Sequence, residues 1–160
     1  MRKFEKISFL QFKKDILDDE KLYEEYILPR RATKCSAGYD FFALCDYVIK
    51  PQEKVLIPTG YKAQFESDEA LLVVIRSSLG IKKDIRLTNQ VGVVESDYYN
   101  NPNNEGHLFV SLQNLGNEDF VIKKGEAYTQ GIFIKFLITS DDCVDTVRTG
   151  GIGSTNKKEG

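Results

Sequence analysis

The chain has 160 residues, 41% of them hydrophobic and 29% charged, which suits one globular domain with a buried core. Its formal net charge of −2 lacks the basic excess of duplex-binding proteins, so nucleic acid is not predicted as a partner. Charged residues interrupt the N-terminus every few positions, and the sequence predicts neither a signal peptide, nor a membrane span, nor a membrane partner.

The cysteines, Cys35, Cys45 and Cys143, form no CxxC pair, and the single His107 does not readily complete a tetrahedral zinc site with them. We expect small core cysteines in a reducing compartment, which predicts a cytoplasmic protein.

Apolar residues recur at three- and four-residue intervals from Phe9 to Ile27, which predicts one or two short amphipathic helices ending before Pro29. Residues 1–29 are therefore expected to form an N-terminal helical extension. Two uses of its apolar face stay open: packing against the body or a neighbouring subunit, or binding another partner.

From Ala37 onwards the pattern changes to short apolar segments that end near Gly, Pro, Asn or Asp, which is typical of an all-β sandwich, barrel or jelly roll. The predicted strands are Tyr39–Ala43, Lys54–Ile57, Tyr61–Phe65, Ala70–Arg76, Gly92–Val94, Leu108–Gln113, Phe120–Ile122 and Gln130–Leu137. Residues 30–144 would form this β domain, and the glycine-rich residues 145–160 a flexible C-terminal arm.

Two segments have the composition of anion-binding sites. In "RSSLG", Arg76 to Gly80, an arginine and two hydroxyls would suit a phosphate, although an ordinary turn has the same letters. In "RTGGIGSTN", Arg148 to Asn156, closely spaced glycines would let successive N–H groups surround an anion, but the spacing is not that of a Walker loop. An unstructured end is the alternative for this second segment.

Two further segments offer single candidate side chains. Gln130 in "GEAYTQGIFIK" could direct its amide at a ligand, or the segment is a plain strand. In "GVVESDYYNN", Glu95 is the best general-base candidate, and Tyr98 offers a flat face for a sugar or base. Asp97 could instead stabilise the hairpin, and a solvated turn is the alternative for the whole segment. His107 is expected to be a polar loop anchor.

Taken together and in order, five segments resemble the motifs of the trimeric dUTPase family, of the kind found in Gram-positive bacteria and their phages. They are "AGYDFFA" (37–43), "RSSLG" (76–80), "TNQVGVVESDYYNN" (88–101), "GEAYTQGIF" (125–133) and "RTGGIGSTN" (148–156). The resemblance runs from about Arg30 to Asn156. It implies a jelly-roll β-barrel, a homotrimer with shared active sites, and Mg²⁺-dependent hydrolysis of dUTP to dUMP and diphosphate.

The resemblance also implies a role for each matching residue. Asp40 would act on the water shell of the metal, and Glu95 would be the catalytic base. The residues expected to hold phosphates are Arg76, Ser77, Ser78 and Gln130. Uracil would be recognised by Asn89 and the backbone at Val93 and Val94, with Tyr98 under the deoxyribose. The closing arm would use Arg148, Gly150, Gly151, Ile152, Ser154 and Thr155.

Two positions depart from the family pattern. Glu95 stands where the family usually has aspartate, and Ile152 stands where a phenylalanine usually stacks on uracil. Both would weaken activity, so a catalytically weak or regulatory nucleotide-binding protein on the same fold is an alternative. A dCTP deaminase is a second alternative, but Ser111 occupies the position of its catalytic glutamate and Ile81 that of its usual arginine.

Overall fold

A computed structural model describes residues 1–146, in which short strands outnumber helices. These residues form β1 (Lys3–Lys6), β2 (Arg30–Arg31), β3 (Tyr39–Phe42), β4 (Tyr47–Ile49), β5 (Lys54–Pro58), β6 (Tyr61–Gln64), β7 (Glu69–Ile75), β8 (Ile85–Leu87), β9 (Gly92–Glu95), β10 (Phe109–Asn114), β11 (Phe120–Ile122) and β12 (Ala127–Lys135). Their helices are α1 (Phe9–Asp15), α2 (Glu20–Glu25), α3 (Ser77–Lys83) and a 3-10 turn at Ser96–Tyr98. The prediction of an all-β fold is confirmed.

The strands pair antiparallel, and the largest sheet has the order β2-β3-β12-β7-β9. Smaller sheets are formed by β5-β10-β8, by β4 with β11, and by β1 with β6. One cluster of buried apolar side chains fills the space between them. Antiparallel sheets around a single core agree with the predicted jelly roll.

Strand alternation gives the five-stranded sheet an inner and an outer face. Phe41, Leu71 and Thr129 are fully buried on the inner face, whereas Asp40 and Gln130 lie on the outer face, where they are partly exposed. Successive side chains on a strand point to opposite faces, so the register of the sheet decides which groups share the outer face.

The N-terminal segment contains the predicted helices and also a strand that the sequence did not reveal, β1, which pairs with β6. Ser8 caps α1 by accepting from the Gln11 N–H at 3.1 Å. Phe12 and Tyr26 lie in the main core with their rings stacked 5.6 Å apart. The apolar helix face therefore packs against the body of its own chain. The division of the chain at residues 29 and 144 remains a prediction.

Each predicted strand is present, with bounds that differ by a few residues. The sequence reading missed the very short strands β2, β4 and β8, and it did not identify α3. The predicted closing residues Arg148, Gly150, Gly151, Ile152, Ser154 and Thr155 lie outside the described residues.

The expectation of core cysteines was wrong for Cys35 and Cys143, which are exposed, while Cys45 is half-buried. Cys35 lies in a turn and Cys143 in an irregular segment, so neither belongs to a strand that faces the core. As for membranes, α1, α2 and α3 are all too short and polar to span a bilayer, and the described residues contain no longer helix.

Tyr128 is fully buried, and within residues 1–146 its hydroxyl has no hydrogen-bond partner. Burial raises its pKa well above the ordinary value for tyrosine. A buried hydroxyl without a partner loses its bonds to water and gains nothing in return. By contrast, the buried Tyr26 hydroxyl donates to the Gly60 carbonyl at 2.8 Å.

We expect Tyr128→Phe to raise the free energy of unfolding by about 1 kcal/mol, because it removes a hydroxyl that is desolvated without compensation. Tyr26→Phe is the matched control, and it should lower the same quantity by about 1 kcal/mol, since it deletes a bonded hydroxyl. Urea denaturation followed by circular dichroism measures both. An equal loss in the two variants would mean that the Tyr128 hydroxyl has a partner.

Candidate functional site

The outer face of the five-stranded sheet brings together residues from three of the predicted segments. Gln130 on β12 is paired with Asp40 on β3 and, on its other side, with Val74 on β7. Arg76 follows directly after β7, and its Nε lies 3.2 Å from Asp40 Oδ1. Its Nη1 donates to the Ala127 carbonyl at 3.0 Å. A carboxylate, a guanidinium and a carboxamide therefore meet at one end of this face.

A glycine makes room for the carboxamide of Gln130. A Cβ atom placed on Gly38 would lie only 2.0 Å from Gln130 Oε1. Any side chain at position 38 would thus displace the amide that is predicted to hold a phosphate. Sequence reasoning did not single out Gly38, although it stands within the "AGYD" segment that resembles the first motif.

Ser77 and Ser78 are exposed at the start of α3, directly after Arg76. The segment was predicted as the end of a strand or a turn, and the structure makes it the first turn of a short helix. The two serines thereby follow Arg76 directly in the chain and are open to solvent. Hydroxyls and a guanidinium are donors that suit phosphate oxygens.

The segment from β8 to β9 carries the candidate base-recognition residues, and because β8 pairs with β10 and β9 with β7, the two strands do not form a hairpin with each other in the described part. Asn89 is exposed in its turn, and its carbonyl accepts from the Val91 N–H at 2.6 Å. β9 is the last strand of its sheet, so one side of its backbone has no neighbouring strand among the described residues. Val93 points outward with 57% exposure, whereas Val94 packs against the core. An edge strand of this kind offers backbone donors and acceptors to a ligand.

Glu95 lies on the same outer face as Asp40 but far from it. Glu95 on β9 pairs with Ala70 on β7. Asp40 on β3 shares a cross-strand row with Gln130 and Val74, and Val74 is four residues along β7 from Ala70. The strands β3 and β9 are three strand spacings apart in the sheet. At roughly 3.3 Å per residue and 4.8 Å per strand, the backbones at Glu95 and Asp40 are about 20 Å apart. The described part of one chain therefore does not bring the candidate base to the residues predicted to bind phosphate.

An apolar band separates these two polar ends of the outer face. Ile132, Leu72 and Val93 form one cross-strand row, and Ile134 extends the band with 37% exposure. Neighbouring apolar side chains on an exposed sheet face are typical of surfaces that contact another chain.

Tyr98 is only 8% exposed, and hydrogen bonds hold both ends of the residue. Its hydroxyl donates to the His107 carbonyl at 3.2 Å and accepts from Asn104 Nδ2 at 2.9 Å. Its own carbonyl accepts from Asn101 Nδ2 at 2.8 Å. The ring therefore has a fixed place in the loop that follows β9.

His107 is fully buried and acts as the anchor that the sequence predicted. Its Nε2 accepts from the Gly60 N–H at 2.9 Å, which leaves Nδ1 to carry the proton that it donates to Asp15 Oδ2 at 2.7 Å. Burial lowers the pKa of His107, and the neighbouring carboxylates of Asp15 and Glu105 oppose this shift only in part. The neutral imidazole is the form that fits these partners.

Within residues 1–146, no group of three or more His, Cys, Asp or Glu side chains is arranged to hold a metal ion. A magnesium ion that binds mainly through substrate phosphates and water needs only one or two carboxylates from the protein. Asp40, partly buried beside Arg76, fits that lesser requirement.

Comparison with known proteins gives consistent matches. A sequence model of the family described as dUTPase matches residues 24–156. The deoxyuridine 5'-triphosphate nucleotidohydrolase of Lactococcus lactis subsp. lactis (strain IL1403) is 47% identical over 130 residues, which cover 80% of this chain and 87% of that protein. The enzyme of that name from Haemophilus influenzae (strain PittEE) is 37% identical over 148 residues, covering 88% and 94%. The crystal structure of dUTPase from Streptococcus mutans superimposes with a TM-score of 0.70 at 40% identity, covering 86% of this chain and 98% of the other.

The buried His107 predicts a loss of stability on mild acidification. In the unfolded chain His107 binds a proton once the pH falls below its ordinary pKa of 6.5. In the folded chain the pKa of His107 is lower, so the imidazole stays neutral over part of that range. The contribution of His107 to the free energy of unfolding is therefore fully present above pH 6.5 and is lost as the pH drops below it. From pH 7.5 to 5.5 we expect the free energy of unfolding to fall by at most about 1.4 kcal/mol, measured by urea denaturation.

His107→Gln is the control for this prediction. His107 is the only histidine of the chain, so the variant has no side chain whose ordinary pKa lies in this window. The carboxyl groups whose pKa is lowered, Glu5, Asp46, Asp68 and Glu105, act below their ordinary pKa values of 4.5 for glutamate and 3.8 for aspartate. An unchanged slope in the variant would assign the pH dependence to another group.

Proposed function

This chain belongs to the dUTPase family and hydrolyses dUTP to dUMP and diphosphate, and we propose that it does so as a homotrimer with shared active sites. The reaction removes dUTP, which limits the incorporation of uracil into DNA, and supplies dUMP. With three unpaired cysteines in its described part, the chain suits a reducing compartment, and we place it in the cytoplasm.

The observation that carries the trimer proposal is the separation of Glu95 from Asp40 and Arg76. A water-activating carboxylate has to lie within hydrogen-bond reach of the attacking water, and about 20 Å is far beyond that reach. If the end of β9 of one subunit meets the Asp40–Arg76 end of another, both groups come to the same substrate. The apolar band of Leu72, Val93, Ile132 and Ile134 supplies a surface for such contacts.

The phosphate end of the site would be formed by Arg76, Ser77, Ser78 and Gln130. The guanidinium charge of Arg76 is balanced by Asp40 at 3.2 Å, so these two groups together add no net charge to the triphosphate site. Hydrogen-bond donors then position the triphosphate, and further positive charge has to come from a cation and from other segments of the chain.

Magnesium fits this arrangement as that cation. When bound, it would neutralise phosphate charge and polarise the phosphoryl oxygens. Asp40 is the residue we assign to it, holding water of the metal's shell through the carboxylate that also contacts Arg76. The ion would otherwise bind the substrate phosphates and water, as Mg²⁺ prefers.

The nucleoside end would be formed by the segment from β8 to β9. The amide of Asn89 and the edge backbone at Val93 and Val94 would pair with uracil, whose N3–H is a donor between two carbonyl acceptors. Cytosine carries an acceptor at N3 and a donor at C4, so it would leave polar groups of this segment unpaired. Tyr98 would lie under the deoxyribose and leave no room for a 2′-hydroxyl.

Glu95 would take a proton from the attacking water while the oxygen of that water bonds to the α-phosphorus. The bond from this phosphorus to the bridging oxygen then breaks, and diphosphate leaves with its electron pair. The closing arm is assigned from the family resemblance alone. Arg148 and Ile152 would approach the substrate together with Gly150, Gly151, Ser154 and Thr155.

A direct assay tests the reaction and the base. With Mg²⁺ present, we expect diphosphate from dUTP and not from dCTP, dTTP or UTP. Glu95→Gln should lower kcat by roughly 10² to 10⁴, because a carboxamide does not accept the proton of water. Glu95→Asp should raise kcat, since the carboxylate then has the length that is usual in the family and a 1 Å offset can cost about 10²-fold.

Two outcomes would contradict this assignment in different ways. Tight binding of dUTP with no diphosphate release by the unmodified chain would make it a regulatory nucleotide-binding protein. Full activity in Glu95→Gln would keep the reaction but assign the base to another residue.

Mixed trimers test whether the active sites are shared. Glu95→Gln and Arg76→Ala should each have strongly reduced activity alone, since each lacks one half of every site. When the two variants are co-expressed with different tags and purified together, about a quarter of the sites should combine an intact Glu95 with an intact Arg76 from different chains. Diphosphate release measures the recovery. No recovery in a verified mixed trimer would place both residues of a site on one chain.

A further inference from the structure

The N-terminal segment makes several polar contacts with the loop of residues 99–107, called here the Asn-rich loop. Glu5 on β1 accepts from the Tyr99 hydroxyl. Glu105 accepts from the Ser8 N–H at 2.9 Å and also from the Ser8 hydroxyl. These contacts join segments about a hundred positions apart in sequence, so they fix the loop against β1 and α1.

The deepest of these contacts is the pair of Asp15 and His107. Asp15 ends α1, and its Oδ2 accepts from His107 Nδ1 at 2.7 Å and from Gln11 Nε2 at 2.6 Å. The other ring nitrogen of His107 accepts from the Gly60 N–H at 2.9 Å. The ring also packs against Phe109, with centroids 4.3 Å apart. Partners on both nitrogens determine the tautomer and the orientation of the imidazole.

The backbone of His107 in turn holds Tyr98. The His107 carbonyl accepts from the Tyr98 hydroxyl at 3.2 Å and from Asn104 Nδ2 at 3.3 Å. Asn104 Nδ2 also donates to the Tyr98 hydroxyl at 2.9 Å. The Tyr98 ring is therefore anchored through its hydroxyl to a residue whose side chain is fixed by α1.

We propose that Asp15 and His107 are positioning residues that set the height of the Tyr98 ring and thereby the discrimination between deoxyribose and ribose. This proposal rests on the proposed function, in which Tyr98 lies under the sugar. It gives the N-terminal segment a part in substrate selection, through the contact of Asp15 with His107. A ring displaced by about 1 Å would admit a 2′-hydroxyl, and displacements of that size can change rates by about 10²-fold.

The test measures the ratio of kcat/KM for dUTP to that for UTP. Asp15→Ala should lower this ratio by at least about 10-fold, with a higher KM for dUTP and a kcat within about threefold of the unmodified chain. Asp15→Asn keeps an acceptor for the His107 Nδ1–H and should retain most of the ratio. Asp18→Ala is the matched control, since Asp18 in the same segment is exposed and contacts only Lys13 among the ion pairs of residues 1–146.

A double-mutant cycle separates positioning from general stability. Tyr98→Phe removes the hydroxyl that both His107 and Asn104 hold, so it should lower the ratio as Asp15→Ala does. The combined variant should lower it no further, because both changes break the same chain of contacts. Additive losses, or an unchanged ratio in Asp15→Ala together with reduced thermal stability, would overturn the proposal and leave Asp15 a structural residue.

Binding distinguishes failure of this proposal from failure of the proposed function. The α,β-imido analogues of dUTP and UTP are titrated by calorimetry with the unmodified chain and with Asp15→Ala. Preference for the dUTP analogue that falls at least about 10-fold in Asp15→Ala supports positioning even in a chain without turnover. No preference in the unmodified chain would refute the sugar role of Tyr98, and the positioning proposal with it.

Discussion

The register of β12 between β3 and β7 is the constraint on which the candidate site depends. It places Gln130 beside Asp40 on one side and Val74 on the other, with Arg76 directly beyond β7. The register shifts between Ala127 and Thr129, and the carbonyl of Ala127 accepts from Arg76 at this irregularity. A slip by one residue would send the Gln130 amide into the core, because side chains alternate between faces.

Glycine residues allow the strands to pack closely at that register. A Cβ atom on Gly131 would lie 2.9 Å from Leu71 Cδ1 and 3.1 Å from Phe41 Cε1, so the inner face beside Gln130 has no space for a side chain. Gly38 has the corresponding function on the outer side, where it makes room for the amide itself. The same sheet places Glu95 about 20 Å from Asp40, so the close packing that positions Gln130 and Asp40 does not bring Glu95 to them.

The sequence predicted the strands well where alternation extends over enough residues. β7 and β12 have long apolar runs. β4 and β8 have three residues each, which is too few to show alternation, whereas the equally short β11 was predicted because it is an unbroken Phe-Val-Ile run. α3 was missed because its serines and glycine are weak helix formers. The residues predicted to bind phosphate were selected because they stand in motifs, but the contact of Arg76 with Asp40 depends on strand pairing that only the fold shows.

The pairing of Asp15 with His107 had no signal in the sequence, since the two residues are separated by 92 positions. A buried imidazole with both nitrogens bonded adds little net stability over an apolar side chain of similar size, because desolvation offsets much of the hydrogen-bond energy. The hydrogen bonds of the imidazole instead fix its orientation, because Asp15 and the Gly60 N–H can both be bonded in one arrangement only. That arrangement determines where the carbonyl of His107 points. The unpaired hydroxyl of Tyr128 makes the contrast, since it is buried without fixing anything among the described residues. Polar groups in this core therefore contribute orientation where they form a connected network, and that network ends at the ring of Tyr98.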